Sequence, residues 1–157
     1  QHNPAIWGVA LESDLYVEAI CDGRHLHPGS VRLYLKDKGW DRVVAITDSI
    51  MAAGLPDGNY KLGVNDVVVE DGDAKLADTG VRAGSTLTLA QALRNIVKFA
   101  DTDVAHAAHL MTANPARLIG LPTKGNIARG CDADLTIVDA DLEVVRTIVG
   151  GRTVYTR

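Results

Sequence analysis

A chain of 157 residues, 46% hydrophobic and 23% charged with 15 glycines, has the composition of an ordinary globular protein with many tight turns, long enough to bury one core. Its net charge of −4 offers no basic patch to follow a phosphate backbone, which argues against a nucleic-acid partner. The longest apolar runs, such as 43–46 and 67–69, are strand-length and far too short to span a bilayer, which argues against a membrane partner.

The opening, Gln1 to Pro4, has no initiator methionine and runs straight into an apolar stretch, so the chain is expected to be cut from something longer. No charged, then apolar, then small-residue pattern is present, and no signal peptide is expected. Cys21 and Cys131 sit in unrelated contexts and read as idle thiols rather than a disulfide or metal site, with the cytoplasm as the expected compartment.

In chain order, Tyr16 to Asp22 is a short run of β-formers ending on Asp-Gly, which predicts a strand running into a loop. Pro28 to Lys38, stopped by Gly39, predicts a short helix. Arg42 to Asp48 is almost continuously apolar, the pattern of a parallel strand buried on both faces. Strand, helix and strand with this spacing make a βαβ unit. Both strands end in an aspartate, and the carboxyl ends of parallel strands are where sites are built, because the loops there converge.

Residues 58 to 78 alternate β-like runs with turns and predict a hairpin excursion; the acidic string 70–73 lacks calcium-loop spacing and reads as a solvated turn. Ser85 is the expected cap of a helix whose apolar stripe runs Leu89, Leu93, Ile96, Val97 and Ala100. A second helix is expected over Asp103 to Met111, and a third with Asn114 as cap, Pro115 at its first position and Gly120 as stop. Beyond Gly130 the pattern is β: one strand over 133–138, then 143–149 joined through Gly150-Gly151 to 153–155. The fold class is therefore α/β. A closed barrel needs eight strands and about 250 residues, so the chain is a piece of one or a smaller open sheet.

Three strings carry a resemblance. Cys21 to His25, Ile46 to Asp48 followed by Gly54 to Tyr60, and Ala83 to Thr88 occur in an order and spacing that resembles the N-acetylglucosamine-6-phosphate deacetylase family of the amidohydrolase superfamily. Asn114 to Gly120, and Lys124-Gly125 followed by Gly130 to Leu135, also match; the latter is common to many amidohydrolases. The resemblance implies a (β/α)₈ barrel whose carboxy-terminal part is residues 1–125, with 126–157 as strands of a small composite β-sandwich. It implies metal-dependent hydrolysis of the acetamide of an amino-sugar phosphate. Asp48 matches the general acid/base at the end of the eighth barrel strand. His25 matches the histidine that contacts substrate near the scissile amide, and Asp22, Gly23 and Arg24 match the loop lining the sugar. Arg82, Ala83 and Gly84 match a substrate-binding loop, although the family has a leucine-like residue at position 82. His2 falls where the family places an arginine that binds the phosphate of the neighbouring subunit's substrate, which implies a homodimer. The metal, zinc or iron, is implied to bind a glutamate and two histidines upstream of residue 1, with the amino-terminal part of the barrel as the missing partner. Another amidohydrolase (an acylase or cyclic-amide hydrolase) and an inactive structural fragment are the alternatives.

The chemistry wants such residues. A divalent metal brings bound water to a pKa of about 7 and polarises a carbonyl. A carboxylate beside the water takes its proton and passes it to the amine, worth about 10²–10⁴-fold. Asp48 suits that task, while Thr47-Asp48-Ser49 also fits a plain cap. The pair His25 and His27 has the spacing of the superfamily's metal motif, but that motif belongs to the first barrel strand and too little chain follows. His25 is thus read as a hydrogen-bonding and polarising group and His27 as a loop or helix-start residue. His106 and His109 share a helical face that reads as ordinary packing, and Gly84 to Thr86 offers either backbone N–H groups for a ligand or a plain cap.

Overall fold

The computed structural model describes residues 5–157. Its elements are α1 (Ala5–Glu12), β1 (Val17–Ile20), α2 (Pro28–Lys38), β2 (Val43–Ile46), β3 (Gly58–Leu62), β4 (Asn65–Glu70), β5 (Asp73–Leu76), α3 (Leu89–Ala100), α4 (Val104–His109), α5 (Ala113–Leu118), β6 (Leu135–Val138), β7 (Val144–Val149) and β8 (Arg152–Thr156). They form three separate sheets, β1-β2, β3-β4-β5 and β6-β7-β8. The first is parallel, with Val17 opposite Val43 and Ile20 opposite Ile46; the other two are antiparallel.

The βαβ unit forms where the residue pattern places it. His27 caps α2 by accepting the Gly29 N–H on Nδ1 at 3.0 Å, Pro28 sets the first helical φ, and Gly39 closes the helix with its N–H on the Leu35 carbonyl. His27 is thus a capping residue. Val43, Val44 and Ala45 are all buried, as a strand covered on both faces requires. Ala19, Cys21, Val31, Tyr34, Val43, Ala45, Leu93, Ile96 and Leu110 make the main core between the strand pair and helices α2 to α4. Truncating the fully buried Ile96 to alanine would cost about 2–5 kcal/mol.

In a parallel ladder both polar groups of one residue point to the same side. Val17 donates to the Arg42 carbonyl, so Val43 and Ala45 face away from β1. That outer edge is occupied: the Ala45 N–H donates to the Leu110 carbonyl at 2.9 Å, and Asn114 Nδ2 donates to the Val43 and Trp40 carbonyls at 2.7 and 2.6 Å. Asn114 is therefore a buried edge residue, not the expected cap of α5, whose N-cap Thr112 makes no capping bond and instead donates its hydroxyl to the Ala108 carbonyl. With Nδ2 fixed on the Val43 and Trp40 carbonyls, Asn114 Oδ1 caps no helical N–H and is buried without a hydrogen-bond partner among the described residues.

Two further expectations change. The excursion over 58–78 is a three-stranded meander rather than a hairpin, with its own core of Ile50, Ala52, Val67, Val69, Ala74 and Ala83. Thr88, not Ser85, caps α3 by accepting the Gln91 N–H at 3.2 Å. The Ser85 hydroxyl donates to the Thr47 carbonyl and accepts the Leu87 N–H, so it holds the approach to the helix instead.

The β6-β7-β8 sheet buries none of its residues, and Met51, Leu55, Val64, Ile119 and Ile127 are exposed. Apolar surface on that scale seeks a partner. Expressed by itself, the 157-residue chain is expected to bind a hydrophobic dye and self-associate, read by fluorescence and light scattering; a monodisperse monomer without dye binding would contradict this.

Candidate active site

Asp22 and Asp48 leave the same end of the sheet. Each lies two residues beyond a strand, and those strands end opposite each other at Ile20 and Ile46. Neighbouring strands are about 4.8 Å apart, so the two loops emerge side by side.

The first loop is organised by the Asp22 carboxylate. Oδ1 accepts the backbone N–H groups of Arg24 and His25, each at 2.8 Å, and Oδ2 lies 2.7 Å from His25 Nδ1. Burial pushes the Asp22 carboxyl up, but the His25 ring bond and then the backbone bonds from His25 and Arg24 outweigh it and hold the group below its ordinary value. An ionised carboxylate only accepts, so the proton of this bond sits on Nδ1. His25 Nε2 has no hydrogen-bond partner among the described residues. Gly23 has φ +77 and lies against the Phe99 ring, where an added Cβ would come to 3.2 Å; glycine lets the turn close onto α3.

Asp48 is exposed and adopts φ 50, the left-handed region that aspartate tolerates better than most residues. Its carbonyl accepts the Ser85 N–H at 2.8 Å, and the Ile50 N–H donates to the Ser85 carbonyl at 2.9 Å. The Ser85 N–H is thus spent on Asp48 and is not a free ligand donor. Gly84, at φ +63, makes this approach possible: a Cβ there would meet Ile50 Cγ2 at 2.5 Å and the Asp48 carbonyl oxygen at 3.0 Å.

Arg82 and Ala83 continue the meander, with the Ala83 N–H on the Ala74 carbonyl at 3.0 Å. Arg82 meets Asp73 bidentately, Nε to Oδ1 at 2.7 Å and Nη2 to Oδ2 at 2.8 Å, and its Nη1 donates to the Arg24 carbonyl at 3.3 Å. Asp73 is buried, and the Arg82 hydrogen bonds hold its carboxyl at about 2 against the opposing push of burial. The acidic string is therefore not wholly solvated, because Asp73 turns inward to a cation nine residues on. Nothing local separates Asp73 from Asp71; the signal was Arg82 within reach across an antiparallel turn.

The structure thus joins Asp22, Gly23, Arg24 and His25 to Asp48 through the segment holding Arg82, Ala83 and Gly84. His2 lies outside the described residues. A cavity of about 300 Å³ beside the first loop is lined by Asp22, Arg24, Gly72, Thr86, Leu87, Thr88, Gln91 and Asn95. A larger one, about 460 Å³ along α5, touches none of the expected site residues. Cys21 and Cys131 are free, and burial first, then the Asp22 charge, pushes the Cys21 thiol up to about 12. No helix among the described residues is long and apolar enough to cross a membrane.

Paired carboxylate loops at the carboxyl end of parallel strands, one carrying an oriented imidazole, are an arrangement suited to hydrolytic chemistry. The sequence model of the amidohydrolase family matches residues 12–154, and the chain belongs to that family. Over 154 residues it is 38% identical to an N-acetylglucosamine-6-phosphate deacetylase of Bacillus subtilis, covering 97% of this chain and 39% of that protein. It is 34% identical to a putative N-acetylgalactosamine-6-phosphate deacetylase of Escherichia coli K12, covering 95% of this chain and 89% of that one. The crystal structure of N-acetylglucosamine-6-phosphate deacetylase from Thermotoga maritima superposes with a TM-score of 0.91 at 42% identity, over 97% of this chain and 42% of that one. The chain therefore spans about two fifths of the Bacillus and Thermotoga proteins. Amidohydrolases generally use a divalent metal; among the described residues no three His, Cys, Asp or Glu side chains gather to hold one.

The His25 tautomer is testable. By ¹⁵N–¹H spectroscopy the neutral ring is expected to carry its proton on Nδ1. In Asp22→Asn the amide Oδ1 still accepts both backbone N–H groups, but Nδ2 now donates to the ring, so the proton moves to Nε2. An Nε2–H tautomer in the unsubstituted protein would refute the assignment.

Proposed function

We propose that this chain forms the carboxy-terminal part of a deacetylase that hydrolyses the acetamide of N-acetylglucosamine 6-phosphate to glucosamine 6-phosphate and acetate. The observation that carries the reading is the juxtaposition of Asp48 with the Asp22–His25 loop through Gly84 and Ser85, within a chain whose relatives bear that activity in their names. In this reading the remaining barrel strands and the ligands of a zinc or iron ion come from the rest of the enzyme, which assembles as a homodimer. The exposed faces of the C-terminal sheet and of residues 119–127 are consistent with such a complement.

Asp48 takes a proton from the attacking water and returns it to the departing sugar amine, so the amide C–N bond breaks with the proton balance closed. Its exposure keeps the carboxylate within reach of solvent and substrate. His25, with Nδ1 held by Asp22, presents Nε2 alone. The neutral ring accepts from a sugar hydroxyl or the amide N–H, and the imidazolium donates to the acetyl carbonyl. Asp22 to Arg24, Ala83 and Gly84 line the sugar. The name of the Escherichia coli relative supports the galactosamine epimer as a second substrate, and assays with both phosphates decide between them.

Asp48→Asn in the complete enzyme is expected to bind substrate within a few-fold of the parent while turnover falls at least ~10²-fold, because a proton carrier acts mainly in the transition state. Turnover within about five-fold of the parent would remove Asp48 from this role. His25→Asn is expected to lower kcat/KM by roughly 10- to 1,000-fold with metal content unchanged. Loss of metal together with activity would make His25 a ligand instead.

A further inference from the structure

Arg82 hydrogen-bonds to Asp73 and to the Arg24 carbonyl, and so joins two segments that are 58 residues apart in sequence. Its guanidinium plane is locked by two short bonds to Asp73, a carboxylate whose side chain is only 8% exposed and whose backbone is fixed in β5. A fork held in that way leaves Nη1 as the one nitrogen with both of its N–H groups still unused. That donor, Nη1, lands on the Arg24 carbonyl, in the middle of the loop that carries His25. The Arg24 guanidinium returns the contact by donating to the Asp71 carbonyl, with Nη1 3.9 Å from Asp73. The loop is therefore tied to the β4–β5 turn directly by its Arg24 side chain, and its main chain is tied to Asp73 through Arg82.

Three residues further along the same segment, the Ser85 N–H holds the Asp48 carbonyl. One segment, 82–85, thus grips both loops, the first through the Arg82 side chain and the second through the Ser85 backbone, and Gly84 in between lies close against Ile50 and Asp48. We propose that Arg82, locked by Asp73, is a positioning residue that sets the His25 loop relative to Asp48 through the Arg24 carbonyl, and does not itself bind substrate. What the loop accomplishes rests on the deacetylase reading; the tether itself does not. Lysine cannot substitute, since a single ammonium cannot hold both Asp73 oxygens and reach the Arg24 carbonyl in a fixed plane.

The test uses the complete protein with Arg82→Met, which keeps the aliphatic stem and removes every donor, and Asp73→Asn as an independent way of loosening the fork. Hydrogen exchange at the Arg24 and His25 amides is expected to accelerate about tenfold or more in both variants, with β1 and α3 unchanged. With N-acetylglucosamine 6-phosphate, kcat is expected to fall roughly tenfold at nearly constant KM, a cost in keeping with slight misplacement of a reacting group. Arg82→Lys is expected to behave like Arg82→Met. In a His25→Asn background, Arg82→Met is expected to have no further effect on kcat, because the group it positions is gone. Unaltered exchange at residues 24 and 25 overturns the tether. A raised KM with unchanged kcat would make Arg82 a substrate contact, and a full multiplicative loss in the double variant would make it merely structural; either overturns the proposal. Absence of deacetylase activity in the unsubstituted protein would sink the proposed function, while the exchange measurement would still decide the tether.

Discussion

Ile20 lies opposite Ile46 in a parallel ladder, and this registration governs where the polar chemistry can collect. Because the strands run the same way, the aspartates two residues past each end emerge together. An antiparallel pairing of the same strands would send them to opposite ends of the ladder, about 23 Å apart over seven extended residue steps of ~3.3 Å each. The pairing is stabilised by burying Ala19, Val43 and Ala45 against α2 and α3, so the position of the site is a product of core packing. The outer edge of β2 is satisfied by Leu110 and Asn114, which leaves the strand with few idle polar groups on that side.

From that platform the two loops take different routes to order. The first is self-contained: one carboxylate accepts two backbone N–H groups and the imidazole, and a glycine lets the turn lie on Phe99. The second depends on a visitor. Asp48 holds a left-handed conformation because Ser85 pairs with its carbonyl, and Ser85 is held in turn by Thr47 and Ile50. Ionic contacts contribute unevenly. Asp73 with Arg82 is bidentate and shielded, whereas Lys61 with Asp66 is open to water and worth about 0–1 kcal/mol at most.

The sequence was most informative where one local rule acted alone. Pro28, Gly39 and an apolar run delimit α2 and β2 by backbone sterics and burial, and these elements appear at nearly the expected residues. Asp22 and Asp48 accordingly follow the two strands where the pattern placed them. What was hidden is the choice of partner by residues with several options. Ser85 and Asn114 have the side chains of helix caps, yet both serve distant carbonyls, 38 and 71 positions away, that no local pattern reveals. Asp73 looked like one more acidic turn residue until an arginine across the turn drew it inward. The third strand of the meander was masked because its four residues, Asp73 to Leu76, include two charges and no β-branched side chain.

The meander grows between β2 and α3 and brings its own apolar interior, made of Val67, Val69, Ala74 and their neighbours, distinct from the one beneath β1 and β2. Substitutions in separate interiors with no shared contacts act almost independently on stability. Natural variation can therefore reshape the meander, and with it the wall beside the His25 loop, while the scaffold that sets the strand ends stays intact. Ligand preference is, in this sense, evolvable without refolding the domain, provided that Gly84 continues to let the two bodies meet.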